Sequence, residues 1–122
     1  DGENITIYGN GEATRDFLYV DDLCQGIIKT LQTSLPGFQP IHLASGKEVS
    51  VSELAALICR VAHSDNHPIV YYDKRIGEVE RNFANYRLAK ELIDFHPKVS
   101  FEDAIKLTWD WFCSYKTKVC KE

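Results

Sequence analysis

Methionine is absent from these 122 residues, and no apolar run approaches the roughly 20 residues that cross a bilayer. A spanning helix is therefore excluded, and the missing initiator residue fits a chain that starts inside a longer polypeptide. The opening Asp1-Gly2-Glu3-Asn4 is polar and carries no signal-peptide pattern. Excess positive charge is also lacking: the formal net charge is −4, which gives no support to a nucleic-acid partner, since that would favour a basic patch. Cysteine is sparse. Cys24, Cys59, Cys113 and Cys120 are widely separated with no CxxC pair, so the reading is reduced thiols in a cytoplasmic protein rather than a disulfide framework. The sequon Asn4-Ile5-Thr6 stands alone as a hint of secretion and carries no weight.

What is present is a globular composition, 44% hydrophobic and 26% charged, at a length that buries a real core. Residues 5–8 alternate and carry β-branched side chains, which predicts a strand. Gly9 and Gly11 supply the positive φ of a following turn. A second strand is expected over 16–20. Asp21 or Asp22 is the natural N-cap of a helix in which Leu23, Ile27, Ile28 and Leu31 recur to about Thr33. Ile41-His42-Leu43-Ala44 reads as a short strand. Ser50-Val51-Ser52-Glu53 is a capping box, opening a helix with Val51, Leu54, Ala55, Ile58, Val61 and Ala62 on one face.

Pro68-Ile69-Val70-Tyr71-Tyr72 is the next strand, and 73–84 read as irregular. Asn85 caps a short helix with Leu88, Ala89, Leu92 and Ile93 inward. Ser100 caps the last helix, whose stripe of Phe101, Ala104, Ile105, Thr108, Phe112 and Tyr115, flanked by Trp109 and Trp111, reads as core; the tail 116–122 is expected to fray. Strand, strand, helix, strand, helix, strand, helix, helix is an α/β layer arrangement.

Arg15 is the strongest single candidate for chemistry. It follows a glycine turn, and its planar fork suits bidentate contact with phosphate oxygens. Its plain alternative is an ion pair with Asp16, Asp21 or Asp22. Tyr8 as a bare feature is a strand-end core residue. Lys74-Arg75-Ile76-Gly77-Glu78-Val79-Glu80 without further context is a solvated charged loop.

Together these segments resemble the extended short-chain dehydrogenase/reductases that act on nucleotide sugars. These are the NAD-dependent epimerases of UDP-sugars, the dTDP-glucose dehydratases and the UDP-glucuronate decarboxylases. The run from Ile5 through Arg15-Asp16-Phe17-Leu18-Tyr19-Val20-Asp21-Asp22 matches the family pattern Arg-Asp-aromatic-x-x-Val-x-Asp without a gap. Arg75-Ile76-Gly77-Glu78-Val79 resembles its Arg-x-Gly-Asp/Glu-Val loop. Ala89-Lys90, Leu92, Phe95-His96-Pro97 and Ser100-Phe101-Glu102 resemble its closing segment, with Asn85 for Asp and Asp94 for Gly. His42-Leu43-Ala44-Ser45-Gly46 is a looser match to Phe-Asn-x-Gly-x-Gly.

The resemblance implies the carboxyl-terminal, nucleotide-sugar-binding portion of such an enzyme, with 1–122 as one unit. Residues 13–46 would pack on a Rossmann half that the sequence does not contain. It implies Tyr8 beside the base and Arg15 and Arg75 on the diphosphate. NAD would be held in the intact enzyme by the missing half, with no cofactor expected for this chain alone. A UDP-sugar epimerase is preferred; a 4,6-dehydratase or a UDP-glucuronate decarboxylase is the alternative. Strands 17–20 and 41–44 would then have open edges through which two copies can form a homodimer. A reading from a different class is a stand-alone, non-catalytic binding or interaction module. A relative acting on steroids or flavonoids is disfavoured by the paired arginines.

Three patterns are decoys. Tyr86-Arg87-Leu88-Ala89-Lys90 spells the family's proton-transfer pair but falls on the closing helix, not on the long upstream helix that faces the nicotinamide. Gly9-Asn10-Gly11 lacks a third glycine, with Thr14 in its place, and precedes a strand, so it is no dinucleotide fingerprint. His63 and His67 have helical metal-ligand spacing, but Ser64-Asp65-Asn66 makes them a loop with no third ligand, and no metal is expected. Without fingerprint or proton-transfer pair, the chain alone is expected to be inactive.

Overall fold

A computed structural model describes residues 3–119. The polar start at Asp1 and Gly2, the Cys120 thiol and the last residues of the expected frayed tail lie outside the described residues. The elements run β1 (Ile5–Tyr8), β2 (Thr14–Arg15), α1 (Val20–Gln32), β3 (Val49–Ser50), α2 (Val51–Val61), β4 (Ile69–Tyr72), β5 (Arg81–Asn82), α3 (Arg87–Ile93) and α4 (Phe101–Val119). The α/β class is as read from the sequence. Residues 116–119 continue α4 rather than fray.

Two small sheets carry the strands. In one, β1 and β4 pair in parallel from Ile5↔Ile69 to Tyr8↔Tyr72. In the other, β2 lies between β3, antiparallel at Thr14↔Ser50, and β5, parallel at Thr14↔Arg81. The glycine turn joins the sheets: Gly9 and Gly11 take φ +76° and +78°, as their spacing predicts.

The expected strands at 16–20 and 41–44 do not form: 16–19 and 41–44 lack ladder pairing, and helix α1 has already begun at Val20. A strand is made by its neighbour, and no described segment lies beside these two to complete a ladder. β3 falls instead beside the Ser50 cap, and β5 falls inside the stretch read as irregular.

Helix ends show where side chains overrule spacing. The Ser50 box forms as read: the Glu53 amide donates to Ser50 Oγ at 3.1 Å and the Ser50 amide to Glu53 Oε2 at 2.8 Å. Ser100 accepts the Asp103 amide at 3.1 Å, whereas α3 starts after Tyr86 rather than Asn85, which stands one residue earlier and accepts the Arg87 amide at 2.8 Å. Neither Asp21 nor Asp22 caps α1. That helix starts after Tyr19 with no side-chain cap, and the Asp22 carboxylate turns inward to accept the amides of Lys98 (3.0 Å) and Val99 (2.9 Å).

The core centres on Ala89, Ile93 and Phe95, with Leu18, Leu43 and Tyr86 packed around it, and Tyr86 meets Phe95 edge-on at 6.0 Å. Ile7 is buried under the parallel sheet, and α2 buries Ala55, Leu57 and Cys59. Ile58, assigned to the same face, and Leu88 of α3 stay exposed. The α4 stripe is not core as read: Phe101, Ala104 and Ile105 are half-buried, and Thr108, Phe112 and Tyr115 are exposed, as is Trp111. The α1 repeat Leu23, Ile27, Ile28 and Leu31 is exposed as well, Leu31 at 82%. No described helix is long and apolar enough to cross a membrane.

Candidate functional site

β1 ends at Tyr8, and the glycine turn beside it opens a cleft of about 490 Å³ lined by Tyr8, Asn10, Glu12, Lys74, Glu78 and Arg81 among others. A larger apolar groove of about 580 Å³ lies between the start of α1 and α4; it has no cluster of charged side chains for an anionic ligand. Chemistry therefore concentrates where the turn meets segment 73–80.

Tyr8 is half-exposed at the end of its strand, with its ring 6.0 Å from that of its register partner Tyr72. The Arg75 guanidinium lies over the Tyr8 ring, 3.8 Å from its centroid, close enough for a cation–π contact. Two of the three residues singled out in the sequence thus touch each other.

Arg15, on β2, is fixed by backbone oxygens. Its Nη1 donates to the Thr14 carbonyl at 2.7 Å and to the Val79 carbonyl at 2.8 Å. Its Nη2 faces Glu78 Oε1 at 3.7 Å. The aspartates beside it in sequence are not its partners. Asp16 instead accepts the Ser45 amide (2.8 Å), the Ser45 hydroxyl (2.6 Å) and the Gly46 amide (2.9 Å), clipping the 45–46 turn against β2. Tyr8 and Arg15 thus both meet segment 73–80, at its opposite ends. Arg15 and Arg75 are brought to one segment but are not in contact with each other.

Every other cation around this cleft is held by a carboxylate. Lys74 donates to Glu80 at 2.8 Å, which holds the Glu80 carboxyl below its usual range. Arg81 grips Glu48 with both arms, Nε at 3.0 Å and Nη2 at 2.6 Å, while Thr14 Oγ1 donates to the same carboxylate at 2.6 Å. These bonds, Arg81 first, hold the Glu48 carboxyl at about 2, and the same pairing raises Arg81. The triad ties β3's approach, β2 and β5 together, and so fixes the strand that carries Arg15.

The sequence missed Glu78 as a partner of Arg15, since it read there only as part of the Arg-x-Gly-Asp/Glu-Val loop. It also missed Glu48 and Asp16 as positioning groups. The signal for Asp16 lay in its adjacency to Arg15 within the family pattern.

His67 lies between Ser64 Oγ at 3.4 Å and the Glu3 carbonyl at 2.6 Å, and no described group of three His, Cys, Asp or Glu residues could hold a metal ion. The glycine turn does not fit NAD. It leads into β2 rather than a helix, and a Cβ at Gly11 would stand 2.1 Å from Ser52 Oγ, so its open side is filled by the chain's own serine.

A family model described as GDP-mannose 4,6 dehydratase matches residues 1–108. The UDP-N-acetyl-alpha-D-glucosaminuronate decarboxylase of Bacillus cytotoxicus is 32% identical over 117 residues, covering 91% of this chain and 36% of that protein. The structure of UDP-glucose 4-epimerase with UDP-glucose from Thermotoga maritima superposes with a TM-score of 0.86 at 31% identity, over 93% of this chain and 36% of that one. MoeE5, solved with UDP-glucuronic acid and NAD, gives a TM-score of 0.79 at 26% identity, over 85% of this chain and 34% of that one. The chain spans about a third of the length of the relatives it matches.

Proposed function

Since this chain belongs to the GDP-mannose 4,6-dehydratase family of NAD-dependent nucleotide-sugar enzymes, we propose that it supplies the nucleotide-sugar-binding part of a UDP-sugar epimerase. Tyr8 packs against the base, and Arg15 and Arg75 neutralise the diphosphate. The observation that carries this reading is the convergence on segment 73–80, where the Arg75 guanidinium lies on Tyr8 and Arg15 is anchored to the Val79 carbonyl. A flat aromatic face under one guanidinium, with a second guanidinium anchored to the same segment, answers the two ends of a nucleoside diphosphate.

The glycine turn of this chain does not fit NAD, so the proposal assigns the cofactor and the proton-transfer pair to another portion of the intact enzyme. Segment 13–46 is the part that meets that portion. The exposed apolar residues of α1, Val20, Leu23, Ile27, Ile28 and Leu31, support this, since a helix with such a stripe is built to be covered. Alone, the chain binds and does not turn over. Self-pairing of two copies through the unladdered backbone at 17–19 and 41–44 is the accompanying proposal for its association.

The decarboxylase relative keeps decarboxylation of a UDP-sugar acid as a second reading. A two-dimensional amide spectrum of the chain, titrated with UDP and separately with ADP, tests the binding role. Selective shifts at Tyr8, Arg15 and Arg75 with UDP support it. A dispersed spectrum unmoved by millimolar UDP would favour the interaction-module reading.

A further inference from the structure

Segment 73–80 touches both proposed recognition points at once. Near its start, Arg75 covers the Tyr8 ring at 3.8 Å. Near its end, Glu78 faces Arg15 at 3.7 Å. Between them Ile76 is fully exposed, and Gly77 has φ +80° with nothing within 4 Å of where its Cβ would be. The two sides of the segment are docked and its tip is free.

Each docked contact copies the chemistry of a ligand group. The Tyr8 face takes a flat, delocalised guanidinium where a flat base would stack. The Arg15 fork takes a carboxylate where a phosphate would lie. Nη1 of Arg15 is held by two carbonyl oxygens, so the guanidinium keeps its place when Nη2 changes partner. The neighbouring cations do not offer a substitute, since Lys74 and Arg81 are bound to Glu80 and Glu48.

We propose that segment 73–80 occupies its own ligand site in the free protein, with Glu78 standing in for the diphosphate at Arg15 and Arg75 for the base at Tyr8. A nucleoside diphosphate binds by displacing both. The exchange needs rotation of the Glu78 side chain beside a fixed Val79 carbonyl, and release of Arg75 across the unpacked Gly77. Glu78 thereby sets affinity from the protein side: it competes with the ligand rather than contacting it through Arg15. This inference rests on the nucleoside-diphosphate reading of the site.

The test is UDP titration of the native chain, E78Q and D73N by calorimetry. Asp73→Asn removes the same charge two residues before Arg75. E78Q tightens UDP binding about two- to fivefold, the worth of a partly exposed ion pair, and D73N does not match it. Unchanged or weaker binding by E78Q, or equal tightening by D73N, overturns the proposal. A second readout is the Arg75 side-chain proton resonances. The Tyr8 ring holds them upfield in the free chain, and UDP saturation returns them downfield; resonances that stay upfield at saturation overturn the displacement. If neither the native chain nor E78Q binds UDP, the nucleoside-diphosphate reading itself fails and the inference falls with it.

Discussion

Asp22 accepts the amide of Val99, 77 residues further along the chain, at 2.9 Å, and the same oxygen takes the amide of Lys98. A carboxylate on α1 therefore holds the segment that leads into α4. Asp22 is 5% exposed, so its removal strands two amides in a dry site.

Asp22→Ala should destabilise the chain by about 2–4 kcal/mol, the cost of two hydrogen bonds to a charged acceptor. Asp22→Asn keeps an oxygen acceptor and loses less. Urea unfolding at pH 7 reads both. An alanine variant within about 0.5 kcal/mol of the native chain would remove Asp22 from this role.

The Glu48 carboxyl gives a pH signature. Arg81 and Thr14 hold it at about 2, against an ordinary value of 4.5. The folded-state value is depressed, so the contribution is fully present above 4.5 and is lost as pH falls from there through about 2. Thermal unfolding of the native chain should fall more steeply over that window than that of Glu48→Gln. Parallel curves would mean that the Arg81 grip does not persist in solution.

Arg15→Ala should weaken UDP binding by about tenfold or more, from the loss of one charge-assisted contact. Arg15→Lys keeps the charge but not the fork that two carbonyls anchor, and should fall between. Calorimetric titration measures both, with amide dispersion reporting the fold. Native affinity in Arg15→Ala would move the diphosphate elsewhere.

Asp94 closes α3 in the left-handed region, with φ 52° and ψ 38°. Lys29 first, and then His96, hold its carboxyl below the usual range. Gly relieves the backbone and gives up those partners; Ala gives up the partners and keeps the strain. Asp94→Ala should therefore melt below both Asp94→Gly and the native chain. An alanine variant as stable as the glycine variant would show that the αL position carries no strain.

Much of this organisation was legible in the sequence where the cause is local. The Ser50–Glu53 box needs only four residues to specify it, and α2 starts where it says. The strand at Ile5–Tyr8 was legible from alternation, and the Gly9 and Gly11 turn from its glycines. Strands at 16–20 and 41–44 were not, because apolar alternation states a capacity to pair, and a ladder needs a neighbour. At the site, residue type pointed to Arg15, and the family resemblance added Tyr8 and Arg75; all three roles stand as proposals. Side-chain partners 63 positions apart, such as Arg15 and Glu78, leave no trace in spacing. The roles of Asp16 and Asp22 were hidden for the same reason: Asp16 reads as a partner of adjacent Arg15 and Asp22 as a helix cap until distant amides claim them.

The parallel pairing of β1 with β4 has a consequence for synthesis on the ribosome. Ile5 meets its ladder partner Ile69 only after 64 further positions have been made. At roughly 5–20 residues per second, that is about 3–13 s during which this strand has emerged before its mate. Ile7, buried in the finished fold, spends that interval without its cover. A ribosome pause placed between the codons for α2 and β4 would lengthen the wait, and nascent chains arrested there should be more open to protease at 5–8 than chains released past Tyr72.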